Sequence, residues 1–218
     1  MKWWLLLEKR KNSEKNIFPQ TMQYFLTENI SSNSSNKQIF LDNDFLSFLF
    51  ENDDVLEAIP RIFSNSSLVI DSFSEFEFLR DIFVPSERVL REQFISYNIF
   101  IPALNHQEIY LKIQANALLL SKLYAHHYPK CKPSSIDLFL AGRIMYNRDN
   151  SYLITGNKKD FPTFIFDTIG VISAEKDQSN GMRSFCLMKF NQSKFDHAYT
   201  EYLKMESKGI EELKNTLP

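Results

Sequence analysis

Three short stretches put carboxylates where a folded chain could use them. Ile39-Phe40-Leu41 runs into Asp42-Asn43-Asp44, an apolar strand that ends in acid. Tyr152-Leu153-Ile154-Thr155 runs into Gly156-Asn157-Lys158-Lys159-Asp160, and Ser134-Ser135-Ile136-Asp137 opens an apolar helix with a carboxylate in its first turn. In a parallel sheet the loops beyond the strand C-termini face one crevice, so acids at two strand ends and one helix start can meet there. Carboxylates gathered without a partner repel one another, and some must stay protonated; a hard divalent cation removes that penalty. Mg2+ or Mn2+ prefers oxygen ligands and keeps bound waters, which suits phosphate ester chemistry. Such an ion can activate a water, hold a phosphodiester oxygen and stabilise the leaving 3′ oxygen.

Each of these residues also has an ordinary structural reading. Asp44 is placed to N-cap a helix beginning at Phe45, whereas Asp42 ends a strand and caps nothing obvious. Ser134 and Asp137 fit a capping box, which is compatible with a carboxylate held rigidly at the sheet edge. Ser72 with Glu75 and Ser74 with Glu77 both fit the same pattern, so spacing does not choose between the two glutamates. Asn157 and Asp160 could form a plain polar turn. Lys130, Lys132, Arg143, Arg148, Lys158 and Lys159 cluster in sequence around these motifs and are candidates for holding phosphates. Arg143 follows Asp137 by six residues and so points toward roughly the same half of its helix. His126-His127 reads as a stabiliser of a helix C-terminus and stays outside the site.

The elements that must position these groups alternate. Strands are expected at Gln38–Leu41, Leu68–Ile70, Asn98–Ile101, Tyr152–Thr155, Ile169–Ile172 and Ser184–Phe190. Helices are expected at Phe45–Phe50, Val55–Phe63, Phe73–Phe83, Ser86–Ser96, His106–His127, Ser135–Tyr146 and Lys194–Lys214. Strands separated by helices imply βαβ crossovers: an α/β fold, a three-layer α/β/α sandwich with a mainly parallel twisted central sheet. Residues 1–37 read as an N-terminal extension, with a short helix near Phe18–Leu26 and a linker at Ser31–Asn36. Residues 38–175 form the domain proper, and 176–218 a C-terminal strand and helix extension.

Composition narrows the options. At 218 residues the chain can bury one sizeable core. Only 5 glycines occur and no glycine-rich phosphate loop, which excludes the common dinucleotide and ATP motifs. The net charge of −2 requires a local basic patch for any nucleic-acid contact. Cys131 and Cys186 lie far apart without zinc spacing and read as free thiols of a reducing cytosol. The apolar run Trp3–Leu7 is too short for a membrane span or a secretory core, so a cytoplasmic location without membrane contact is expected. The many Phe residues at helical spacing are core, although some on the Phe45–Phe63 helix pair could form a dimer or partner surface.

At these residues the chain resembles the PIN-domain nucleases, which include the toxins of VapBC-type toxin–antitoxin pairs. Leu41-Asp42-Asn43-Asp44-Phe45-Leu46 is similar to the family's opening strand with Asp-x-Asn/Asp, and Glu77-Phe78-Leu79-Arg80 to its second acid. Pro133-Ser134-Ser135-Ile136-Asp137-Leu138-Phe139-Leu140-Ala141 resembles the third motif, and Leu153-Ile154-Thr155-Gly156-Asn157-Lys158-Lys159-Asp160-Phe161 the fourth. The likeness covers about 38–175. It departs from the pattern at Asn157, where many members carry an acid, at Phe76, where a small residue is common, and in its longer ends.

The resemblance implies metal-dependent endonucleolytic cleavage, most often of RNA, transfer RNA among the options. It implies Asp42, Glu77, Asp137 and Asp160 as catalytic acids, and Asp42, Asp137, Asp160 and Asn157 as ligands of Mg2+ or Mn2+. Asp44, Thr155, Arg143, Lys158 and Lys159 would contact substrate. An antitoxin protein and a homodimer are the implied partners. Two other readings compete: a catalytically silent PIN-like module that binds nucleic acid or protein, and a haloacid-dehalogenase-type phosphatase with Asp42-Asn43-Asp44 as its Asp-x-Asp. The last needs a Thr or Val where Leu46 stands and a late Gly-Asp pair, which does not occur.

Overall fold

Strand side chains alternate between two faces, and here both faces are apolar, so helices must cover each side of the sheet. The computed structural model describes residues 22–26, 37–130, 132–175 and 181–216, with backbone alone at 22–26, 175 and 209–216. The strands are β1 (Met22–Leu26), β2 (Lys37–Leu41), β3 (Ser66–Ile70), β4 (Phe100–Pro102), β5 (Ser151–Thr155), β6 (Phe166–Glu175) and β7 (Met182–Phe190). The helices are α1 (Asn43–Glu51), α2 (Asp53–Ile62), α3 (Ser72–Arg80), α4 (Pro85–Ile95), α5 (Gln107–His127), α6 (Ser135–Asn147) and α7 (Gln192–Thr216).

Ile39 and Leu41 of β2, Leu68 and Ile70 of β3, and Tyr152 and Ile154 of β5 pack under α1 to α4. Their alternates Phe40, Val69 and Leu153 pack under α5, α6 and α7. The result is the expected three-layer α/β/α arrangement. Fully burying a side chain such as Phe45 or Phe48 contributes about 1.5–3 kcal/mol, so the core under α1 is a main source of stability. Of the phenylalanines on the first helix pair, Phe45, Phe48 and Phe63 are buried, while Phe50 is half-buried.

One sheet of seven strands has the order β1-β6-β7-β5-β2-β3-β4. β5, β2, β3 and β4 are parallel neighbours, while β7 lies antiparallel between β5 and β6, and β1 antiparallel on β6. The sheet is therefore parallel where the acids lie and antiparallel beyond. β4 is an edge that ends in Pro102, a residue without an N–H to offer a further strand.

Three expectations at the chain ends change. Met22–Leu26, expected as part of a helix, is a strand, because β6 has a free edge to pair it; Phe18 and the linker Ser31–Asn36 lie outside the described residues. The C-terminal strand is no appendage, since β7 bridges the parallel half of the sheet to β6. The helix after it packs Phe195 into the α5–α6 core. Among the described residues no helix is long and apolar enough to cross a membrane.

Candidate functional site

Strand register builds the site. Leu41 of β2 stands opposite Ile154 of β5, so the two strands end level and deliver Asp42 and Thr155 side by side. Asp42 N donates to Ile154 O at 3.1 Å, which extends the ladder one residue past β2. From β2 the chain moves through α1 and α2 to β3 on one side, and β5 arrives on the other side after α5 and α6. The crevice between β2 and β5 is thus a topological switch point, where open α/β sheets hold ligands.

Asp42, not Asp44, is the N-cap of α1. Its side chain accepts from Asn43 N at 2.7 Å and from Thr155 Oγ1 at 2.7 Å. The helix begins at Asn43, two residues earlier than the spacing suggested, because the acid ending β2 already reaches the first helical N–H. Asp44 is left free to face β5. Gly156 N donates to its Oδ2 at 2.7 Å, while its Oδ1 is buried with no hydrogen-bond partner. A Cβ at Gly156 would meet Asp44 Oδ2, so any larger residue there would push the Asp44 carboxylate aside.

The third acid comes from α6. Ser134 N donates to Asp137 Oδ2 at 2.9 Å and Asp137 N to Ser134 Oγ at 3.1 Å, the reciprocal capping box read from the sequence. The fourth comes from α3, where Glu77 is largely buried with Arg80 at 3.6 Å, whereas Glu75 is exposed. Neither serine caps α3; Asp71, ending β3, accepts from Phe73 N at 3.1 Å. Asp160 is buried and accepts from Asn157 Nδ2. Asn157 N in turn donates to Thr155 Oγ1 at 2.9 Å, so this pair joins the site through Thr155.

Electrostatics shows which acids meet. Burial pushes the Asp42 carboxyl up to about 8, and the charges of Asp44 and Asp137 add to the rise against the Thr155 hydrogen bond. Burial also raises Asp44, opposed by the Gly156 N–H and by the charge of Arg183, with Asp137 pushing upward. Glu77 is raised by burial and then by Asp137, and Arg80 opposes. Asp42, Asp44, Glu77 and Asp137, from three separate segments, therefore share one field.

These groups offer oxygen donors alone, the set a hard divalent cation takes, and Asp44 Oδ1 is a buried acceptor that a cation would satisfy. Among the described residues no three acid, histidine or cysteine side chains are already drawn into a ligand cage. The hydrogen bonds from Thr155, Gly156 and Ser134 instead hold the carboxylates in place around the crevice.

The basic cluster separates. Arg143 is 3% exposed and its guanidinium is spent: Nε donates to Asp71 Oδ2 at 2.7 Å, Nη1 to Leu104 O at 3.2 Å, and Nη2 to Asn105 Oδ1. Buried and bonded in this way, it holds the fold and is not presented to a substrate. Arg148 follows α6 at the start of β5, the edge of the sheet opposite Thr155. Lys158 and Lys159 are exposed in the short turn that carries Asp160, and Lys130 and Lys132 are exposed before α6.

Three participants escaped the sequence reading. Asp71 ends a strand in the same manner as Asp42, a signal that was present in Val69-Ile70-Asp71. Gly156 is visible only as a glycine after a strand. Arg183 lies on β7, outside the motif-bearing stretch, with its guanidinium carbon 5.2 Å from the Phe185 ring centre and 5.9 Å from that of Phe48. No protein-family model, curated protein or solved structure matches the chain.

Proposed function

We propose that the chain is a Mg2+- or Mn2+-dependent endonuclease of the PIN type that hydrolyses RNA phosphodiester bonds in the cytoplasm. One observation carries the reading: at the C-terminal edge of parallel strands, the charge of Asp137 adds to the raised proton affinity of Asp42, Asp44 and Glu77. Three of these four are the acids that the PIN resemblance implies. Mutual repulsion of this kind is costly unless a cation or a proton relieves it.

Asp42, Asp44 and Asp137 would hold the cation, with Glu77 beside them. When bound, the ion supplies Lewis acidity at a phosphate oxygen. The protein's own contribution is placement. Thr155 orients Asp42, the Gly156 N–H fixes Asp44, and the Ser134 cap fixes Asp137. Asn157 and Asp160 clamp the turn after β5 and bring Lys158 and Lys159 to the rim, where they can meet flanking phosphates. An antitoxin or a second copy would act by covering this crevice.

A second reading, a silent PIN-like module, is favoured by Asn157 in place of an acid and by the absence, among the described residues, of a ready ligand cage. The phosphatase reading loses ground because Leu46, where that motif needs Thr or Val near the nucleophile, is buried in the core. Incubation of the purified chain with single-stranded RNA and Mn2+, beside Asp137→Asn, separates the two PIN readings. The nuclease reading expects chelator-sensitive cleavage that the variant loses; cleavage by neither protein favours the silent module.

A further inference from the structure

We infer that Arg183 is a phosphate ligand of this site, holding a non-bridging oxygen of the nucleic-acid strand beside the carboxylates. The inference rests on the nuclease reading and adds a residue from outside the stretch that resembles PIN domains.

Placement comes from register. β7 is antiparallel to β5 with Cys186 opposite Thr155, so the residues before Cys186 continue past the end of β5 on the crevice side. Arg183 is two residues from Phe185 and shares its face of the strand, the face under α1. The Phe185 ring lies against Phe45 and Phe48 of α1, with ring centres 4.8 and 5.0 Å away. That ring and the Asp44 carboxylate both lie within contact of the point where a Gly156 Cβ would stand. A guanidinium stacked over that ring stands next to Asp44, consistent with its effect on that acid.

Chemistry supplies the rest. Arg80, Arg88, Arg91 and Arg143 each pair with a carboxylate. The Arg183 side chain makes no hydrogen bond or ion pair within the described residues, although it is half-buried and beside Asp44. Its guanidinium lies against two aromatic rings, and among the described residues its donors are unspent. A stacked, oriented guanidinium with free N–H groups is suited to bidentate capture of a phosphate. Next to a carboxylate cup, that anion would be a phosphate already neutralised on its other side by the cation.

The test uses the full chain as wild type, Arg183→Met and Arg183→Lys. Methionine keeps an apolar stem on the rings without the donors, and lysine keeps the charge without the fork. Thermal melting with and without Mn2+, and Mn2+-dependent cleavage of a labelled single-stranded RNA, are measured for all three. The expected result is an unchanged melting shift with Mn2+ and a KM for RNA raised about tenfold or more in Arg183→Met, the size of one lost charged hydrogen bond. Arg183→Lys should fall between, and it gives the same readout should the methionine variant fail to fold. An unchanged KM overturns the inference. So does an altered Mn2+ response with unchanged KM, which would make Arg183 an internal counter-charge. A wild type that neither responds to Mn2+ nor binds RNA would remove the nuclease reading itself, and the inference with it.

Discussion

Arg143 Nε donates to Asp71 Oδ2 at 2.7 Å with both side chains buried, and this ion pair joins the two helices that carry the distal acids. Asp71 caps α3, which bears Glu77, and Arg143 sits in α6, which bears Asp137. The pair therefore fixes the spacing of Glu77 and Asp137 from beneath the site. The same guanidinium reaches Leu104 and Asn105, tying in the loop before α5.

Removing one partner of such a pair leaves a buried charge uncompensated. Arg143→Ala should destabilise the chain by about 3–5 kcal/mol in urea unfolding. Arg143→Lys should recover only part of this, because one ammonium cannot reach three acceptors at once. A loss below about 1 kcal/mol in Arg143→Ala, the range of an exposed pair, would contradict the role assigned to it.

Gly156 is tied to Asp44 by contact and by hydrogen bond. Gly156→Ala should displace the Asp44 carboxylate and abolish Mn2+-dependent cleavage, while the core under α1, built by Phe45, Phe48 and Leu49, remains. Overlaid amide spectra of wild type and variant, taken beside cleavage rates, check this. Full activity in Gly156→Ala would show that Asp44 has no fixed place in the site.

Asp42 makes stability depend on pH. Its folded value of about 8 stands above the ordinary 3.8, so the native state binds the proton more tightly. Its contribution is thus present at low pH and is lost as pH rises through that window, levelling off above it. In metal-free buffer, the stability of wild type relative to Asp42→Asn should fall from acid toward pH 8. Urea unfolding at several pH values measures the difference. A difference that is flat, or that grows with pH, would mean that Asp42 ionises freely.

Much of this arrangement is legible in the sequence. The alternation Ile39-Phe40-Leu41-Asp42 and Leu153-Ile154-Thr155 marks buried strands that end in polar groups, and both end level at the crevice. The Ser134–Asp137 capping box was readable because a local pattern alone decides it. What failed depended on neighbours. Asp42 against Asp44 as the cap turned on how closely β2 approaches the first helical N–H. Arg143 is expected as a substrate contact because nothing local announces its pairing with Asp71. Arg183 and β1 were invisible for the same reason: antiparallel pairing with β6 and β7 is non-local.

Convergence of the four acids on a divalent ion is tested most directly by Mn2+ titration of the metal-free chain, followed by thermal melting, beside Asp137→Asn and the exposed control Glu75→Gln. Asparagine can still accept from Ser134 N, so the helix cap survives the change. Wild type and Glu75→Gln should be stabilised in step with Mn2+, by about 2.7 kcal/mol at one hundred times the dissociation constant. Asp137→Asn should show little or no shift at the same concentrations. A wild type that does not respond to Mn2+, or an Asp137→Asn that responds equally, would contradict the account.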